Sequence, residues 1–215
     1  MTVIYRKNKK LLNKSNNLLI PKKFHRIWLG GKPMPDEFIR FRETWIEKHP
    51  DWEMKLWTEE NMIPLQNQRE YDNATKLAQK ADIARIEIIH KFGGIYIDCD
   101  FECLKNIEPL LKGVEAFTVY EEPGIINLAI IGCVPGHPVY KLLIDNLPKS
   151  IRENKHLPIN HQTGPHYHSR MLKSRKDITI FPPKLFYPYL YTEMHRKNED
   201  FPSAYAVHHW EGSWR

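Results

Sequence analysis

Two aspartates one residue apart, Asp98 and Asp100, close a short alternating run, Ile95-Tyr96-Ile97-Asp98-Cys99-Asp100. Side chains on a strand point to opposite faces in turn, so the pattern predicts Tyr96, Asp98 and Asp100 on one face and Ile95, Ile97 and Cys99 on the other. Two carboxylates separated by roughly 6.5 Å of strand rise repel each other unless a cation lies between them. Mg²⁺ and Mn²⁺ suit such a site, because they take carboxylate and water oxygens and bridge to a substrate's phosphates. Upstream, Asp82 and Arg85 stand three apart on a predicted helix and so share a face, adding one acceptor and one fixed cation. Residue types alone leave a bland alternative open, a solvated strand end beside a surface ion pair, and for an isolated Asp-x-Asp that is the commoner case.

The elements that must hold these groups are legible in the hydrophobic spacing. Leu77, Ala81, Ala84, Ile88 and Phe92 recur at intervals of three and four, which predicts a helix with one buried face. Gly93-Gly94 ends it, since glycine accepts the left-handed turn at a helix terminus. Earlier, residues 24–29 read as the first core strand, closed by Gly30-Gly31. Residues 36–49 read as a helix burying Phe38, Phe41, Trp45 and Ile46, and 54–57 as a second strand. Thr58 is expected to cap a further helix with Glu59 and Glu60 in its first turn. Strands at 115–120, 126–133 and 178–181 follow, with a helix at 139–146 and a packed aromatic segment at 186–191. Such strand–helix alternation argues an α/β fold with a mostly parallel sheet flanked by helices, whose ligands gather at the carboxyl ends of the strands.

The chain has 215 residues, 41% hydrophobic and 27% charged, which suits one soluble domain. No run reaches the length of a membrane span, and the first twenty residues lack the apolar core of a secretory signal. Cys99, Cys103 and Cys133 make an odd number without metal-finger spacing, which suits a reducing, cytoplasmic setting. Residues 1–35 hold nine Lys or Arg and no acid, whereas the remainder carries 23 bases against 26 acids. That basic segment is either a flexible solubilising tail, expected over 1–19, or a contact for anionic lipid at the inner face of a membrane. Aromatics do not interleave with its lysines, so nucleic acid is not expected as a partner. His156, His161, His166 and His168 surround Thr163-Gly164-Pro165 at irregular spacing without acids or thiols, which argues against a zinc site there.

The whole pattern, A-x-x-A-D-x-x-R from Ala78 to Arg85 followed by G-G-x-Y-x-D-x-D from Gly93 to Asp100, resembles the sugar-binding, DXD-containing region of retaining glycosyltransferases. It is closest to glycosyltransferase family 32, which includes yeast Golgi mannosyltransferases and bacterial polysaccharide enzymes; the large glucosylating toxins are more distant. Ala81 stands where many relatives carry serine. The opening I-P-K-K-F-H-R-I-W-L-G of residues 20–30 and the closing H-x-x-x-x-S-W of 208–214 match the same family. The resemblance implies a single GT-A-like catalytic domain over 20–215 and transfer of a hexose from a nucleotide diphosphate sugar, with UDP-hexose favoured. The acceptor would be a glycan or lipid-linked sugar in surface polysaccharide synthesis, such as capsule or lipopolysaccharide. It implies a divalent cofactor, Mn²⁺ favoured over Mg²⁺, held by Asp98, Asp100, His208 and Ser213. Trp28, Leu29 and Gly30 would lie at the nucleotide. Asp82, Arg85, Tyr96, Asp98, Asn127, Ser213 and Trp214 would contact the sugar nucleotide, and Asp82, Arg85, Asp98 and Asp100 would carry catalysis. No residue stands out as a covalent nucleophile, so front-face attack by the acceptor is expected. Two other classes use similar residues: a non-catalytic nucleotide-sugar or glycan-binding domain, and a metal-dependent phosphoryl-transfer enzyme.

Overall fold

The computed structural model describes residues 17–212. The flexible segment expected over 1–19 therefore lies largely outside the described residues, and Ser213 and Trp214 lie wholly outside them. In chain order the elements are β1 (Lys23–Ile27), α1 (Asp36–Lys48), β2 (Glu53–Trp57), α2 (Gln68–Asn73), α3 (Leu77–Phe92), β3 (Gly94–Ile97) and β4 (Phe101–Cys103). Then come α4 (Glu108–Leu111), β5 (Ala116–Glu122), β6 (Ile125–Cys133), α5 (Pro138–Glu153), α6 (Ile159–Gln162), α7 (Pro165–Leu172) and β7 (Thr179–Phe181). Two 3₁₀ segments (Pro183–Leu185 and Tyr191–Arg196) lead to β8 (Ala206–His208).

Six strands form one sheet in the order β2-β1-β3-β6-β5-β7, and β4 pairs with β8 in a small second sheet. β1 is parallel to β2 and β3, β5 is parallel to β7, and β6 runs antiparallel to both β3 and β5. The alternation predicts a mostly parallel α/β sheet, and the antiparallel β6 makes the observed one mixed. Phe24 pairs with Ile95 and His25 with Tyr96, so residues 28–30 and 98–100 leave the sheet at the same edge. One apolar cluster lies between the sheet and α3, α5 and α7, and takes in Ile83, Ile86, Tyr96, Ile131, Tyr140 and Leu143. The other, under α1 and the C-terminal segment, takes in Phe24, Trp45, Ile95, Ile97, Phe117 and Phe186. Tyr96 faces the first and Ile95 and Ile97 the second, as period-two alternation requires.

Buried polar side chains fix where α3 meets the sheet. His25 is fully buried; its Nδ1 accepts from the Trp57 indole at 3.1 Å, so its Nε2–H donates to the Gly93 carbonyl at 2.9 Å. Gly93 has φ 66°, and a Cβ there would stand 2.6 Å from Pro135 Cδ; a Cβ on Gly94 would stand 2.5 Å from the Lys23 carbonyl oxygen. Only glycine lets the helix end this close to β1.

Three elements differ from the sequence reading. Thr58 caps no helix: its N–H donates to Asn61 Oδ1 at 2.9 Å in a turn, and the next helix is α2. Pro64 biases Ile63 away from helical geometry, which blocks the earlier start. α5 runs on to Glu153 with Pro148 inside it; burial of Tyr140, Leu143, Ile144 and Leu147 outweighs the one hydrogen bond that the proline removes. The acidic strand stops at Ile97, and Asp98 to Asp100 form a turn in which the Asp98 carbonyl accepts from Phe101 N–H at 3.2 Å. Buried Arg26 on β1 draws this turn out of the sheet, its Nη2 donating to the Cys99 carbonyl at 2.5 Å and to the Phe38 carbonyl at 3.2 Å.

Candidate active site

The turn after β3 brings both carboxylates against the end of β8. His208 Nε2 lies 3.2 Å from Asp100 Oδ1 and 3.9 Å from Asp98 Oδ2. Asp98, Asp100 and His208 each offer a ligand atom, all within 4.8 Å of one another. β8 reaches this place by pairing with β4, His208 opposite Phe101. The chain then turns through Trp210 at φ 58°, a conformation that non-glycine residues seldom adopt. That turn lets His209 N–H donate to the Asp100 carbonyl and Glu211 N–H to Asp100 Oδ2, each at 3.0 Å. Trp210 packs edge-on to His208 at 4.2 Å between centroids and walls the cluster.

A chain of polar contacts runs from these acids into α3. Asp98 Oδ1 accepts from the Tyr96 hydroxyl at 2.6 Å and lies 3.3 Å from Arg85 Nη1. Arg85 Nη2 lies 3.1 Å from Asp82 Oδ1, and its guanidinium sits 4.7 Å from the Tyr96 ring centroid. Asp82 Oδ2 accepts from Thr163 Oγ at 2.8 Å. Thr163, just before α7, and Tyr96 are fully buried, and Asp82 and Arg85 nearly so.

Burial sets the electrostatics. It pushes Asp82 up to about 6, against the opposing pull of Arg85 and Thr163. It also opposes the charged forms of Asp100 and His208, but each overcomes it through the other: Asp100 is held below the ordinary carboxylate range and His208 above the ordinary imidazole range.

Two carboxylates and one imidazole, already convergent, with Asp100 and His208 buried and Asp98 partly so, fit a divalent cation that takes oxygen and nitrogen donors. Asp100 has its second oxygen fixed by Glu211 N–H, and Asp98 has its first oxygen fixed by Tyr96 and Arg85, so each presents one oxygen inward. Fixing ligands from behind in this way is what metal sites require.

The other expected residues fall at this sheet edge with differing freedom. Trp28 is half-buried, its indole N–H donating to the Lys32 carbonyl at 2.6 Å and its ring edge-on to Phe38. Leu29 is buried, and Gly30, at φ 95°, donates its N–H to Glu59 Oε1 at 2.5 Å. A cleft of about 390 Å³ between Glu59, Ile63, Tyr71, Leu77 and Lys80 opens beside this glycine, and none of the acid cluster lines it. Asn127 is buried with its amide engaged: Nδ2 donates to Glu121 Oε2 at 2.6 Å, and Oδ1 accepts from Leu128 and Ala129 N–H at 2.5 and 2.8 Å.

Sequence reading missed Thr163 and Arg26. Thr163 was visible only as part of the Thr163-Gly164-Pro165 stretch among the histidines. An arginine between Phe24 and Ile27 in a core strand was the available signal for Arg26.

Residues 35–116 match a family model described as a glycosyltransferase sugar-binding region containing a DXD motif. The chain is 32% identical over 155 residues to inositol phosphoceramide mannosyltransferase 3 of Schizosaccharomyces pombe, covering 68% of this chain and 43% of that protein. It is 32% identical over 170 residues to the mannosyl phosphorylinositol ceramide synthase CSH1 of Saccharomyces cerevisiae, covering 74% of this chain and 44% of the other. The chain thus spans less than half the length of these relatives. Among solved structures, the PaToxG glycosyltransferase shares the fold, with a TM-score of 0.62 at 18% identity over 71% of this chain and 68% of that one.

Proposed function

We propose that the protein, whose residues 35–116 match the model of a glycosyltransferase sugar-binding region containing a DXD motif, transfers a hexosyl unit, with retention, from a nucleoside diphosphate sugar to a lipid-linked or glycan acceptor. The observation that carries the reading is the convergence of Asp98, Asp100 and His208 within 4.8 Å, beside a buried Asp82–Arg85 pair. The named activities of the two yeast relatives bring mannose in beside the UDP-hexoses as a donor sugar. They also move the favoured acceptor from a surface polysaccharide to a phosphoinositol-bearing lipid.

Asp98, Asp100 and His208 would hold a divalent ion, Mn²⁺ favoured, and Ser213 would join them. Bound there, the ion supplies charge neutralisation for the departing diphosphate. Arg85 adds a fixed positive charge that needs no reorganisation as the leaving group departs, because Asp82, Asp98 and the Tyr96 ring already hold it. Asp82 accepts hydrogen bonds from sugar hydroxyls and so orients the anomeric carbon; Thr163 fixes its carboxylate. Asp98 and Asp100 act as ligands and not as proton acceptors. Trp28 and Gly30 border the nucleotide, and Trp214 closes over it. The basic residues within 1–35, apart from the buried Arg26, would hold the protein against anionic lipid, each contributing about 1 kcal/mol near such a surface. No helix among the described residues is long and apolar enough to cross a membrane.

The test is a panel of UDP-hexoses and GDP-mannose with Mn²⁺, following nucleotide release and the anomeric configuration of any product by NMR. One donor is expected to be turned over, faster with a phosphoinositol lipid present and with retained configuration. An inverted product would overturn retention. Donor binding without any release, with water or lipid, would leave a binding domain in place of an enzyme.

A further inference from the structure

Asn127 is among the residues expected to touch the sugar nucleotide, yet both ends of its amide are committed within the protein. One end grips Glu121, and β5 is shaped to allow it. β5 slips register against β6 twice, between Phe117 and Val119 and again between Tyr120 and Glu122. At the second of these Glu121 is the extra β5 residue, whereas at the first Thr118 stands opposite the longer β6 stretch 128–131. Thr118 Oγ donates to the Asn127 carbonyl at 3.0 Å, and Glu121 Oε2 accepts from Asn127 Nδ2 at 2.6 Å. A bulge re-aims a side chain that a regular ladder would send elsewhere. Here it directs a carboxylate to the edge where the next residues of β6 meet the acidic turn, Ala129 accepting from Asp98 N–H at 2.8 Å. Glu121 stands outside the three-ligand cluster, and only one of its oxygens is taken up by Asn127.

A second group completes the arrangement. Tyr187 is 3% exposed, and its hydroxyl has no hydrogen-bond partner among the described residues. Its ring packs edge-on to His208 at 5.6 Å between centroids. Burial holds this hydroxyl well above the ordinary phenol range, and the Glu121, Asp98 and Asp100 carboxylates add to that against the pull of Arg85. A buried hydroxyl without a partner costs free energy that a bound hydroxyl can recover.

We propose that Glu121, aimed by the β5 bulge and held by Asn127, forms with the Tyr187 hydroxyl a subsite for the hydroxyl groups of the transferred hexosyl unit, next to the diphosphate-binding cluster. Glu121 accepts from one sugar hydroxyl, Tyr187 donates to or accepts from another, and Asn127 is a positioning residue that touches protein alone. This assignment rests on the glycosyltransferase reading.

Calorimetry with Mn²⁺ present separates the two. On the full chain, the affinity for a turned-over sugar nucleotide is compared with that for the matching nucleoside diphosphate, in wild type, Glu121→Gln and Tyr187→Phe. The subsite predicts that each variant binds the sugar nucleotide about tenfold or more weakly, while its affinity for the bare nucleoside diphosphate stays within a factor of about two. Asn127→Asp, which puts a like charge beside Glu121, weakens the sugar nucleotide in the same selective way. Equal losses for both ligands would show that Glu121 and Tyr187 merely support the cluster, and unchanged affinities would show that they touch no sugar; either overturns the subsite. Wild-type protein that binds neither ligand would instead defeat the glycosyltransferase reading itself.

Discussion

At the scale of single residues, the site is a set of charges each held by more than one partner. Arg85 joins Asp82 on α3 to Asp98 on the turn, 3.1 and 3.3 Å away, through two different nitrogens. Lysine has a single point of charge and cannot span both. Arg85→Lys is therefore expected to lower kcat/KM for donor turnover by roughly a hundredfold or more, measured by nucleotide release with circular dichroism as a control for folding. Thr163 offers a finer probe, because serine keeps the hydroxyl that Asp82 uses and valine removes it at nearly the same volume. Thr163→Val is expected to lose roughly tenfold in kcat with little change in KM for the donor, and Thr163→Ser to recover most of it. A merely packing role would reverse that order. These residues were unequally legible in the sequence. Asp82, Arg85, Asp98 and Asp100 stand at regular spacing on local elements, whereas the partners of Thr163 and Glu121 are set by how α7 and the β5 bulge meet the sheet, which no local pattern records.

At the scale of elements, the junction between α3 and β3 decides whether the acids reach the ligands' side at all. Gly93 sits at φ 66° with no room for a Cβ against Pro135 and Pro21. Gly93→Ala is expected to cost about 2 kcal/mol or more, seen as a Tm lower by roughly 4–8 °C. The Gly-Gly break was readable from sequence because glycine's conformational freedom is a local property. The turn at Asp98 to Asp100 was not, since the run alternates well enough to continue as a strand. What ends it is Arg26, a residue on another strand, taking the Cys99 carbonyl. Thr58 failed as a cap for the opposite reason: the Asn61 turn and Pro64, only a few residues further on, outweighed its capping preference.

At the scale of the whole molecule, the sheet and its flanking helices followed from alternation and hydrophobic spacing, while the antiparallel placement of β6 beside β3 did not, because strand order depends on long-range pairing. The interior is also rich in buried imidazoles, which ties stability to pH. Burial lowers His25 from 6.5 to about 4, offset only in part by its bond to Gly93. A base whose folded pKa is depressed gives stability that is complete above the unfolded value and is lost as pH falls from there to the folded value. His25 is thus expected to remove about 3 kcal/mol between pH 6.5 and pH 4. Urea unfolding across that range checks it, since His25→Gln should flatten the slope even if it lowers stability throughout.

The claim on which the rest depends is that Asp98, Asp100 and His208 together hold a divalent ion that anchors the donor's diphosphate. The most direct measurement is the affinity for a nucleoside diphosphate with Mn²⁺ and with a chelator, in wild type, Asp100→Asn and His208→Ala. Binding that depends on Mn²⁺ and falls by roughly tenfold or more in both variants is the expected result. Binding as tight in chelator as in Mn²⁺, or variants that bind like wild type, would contradict it.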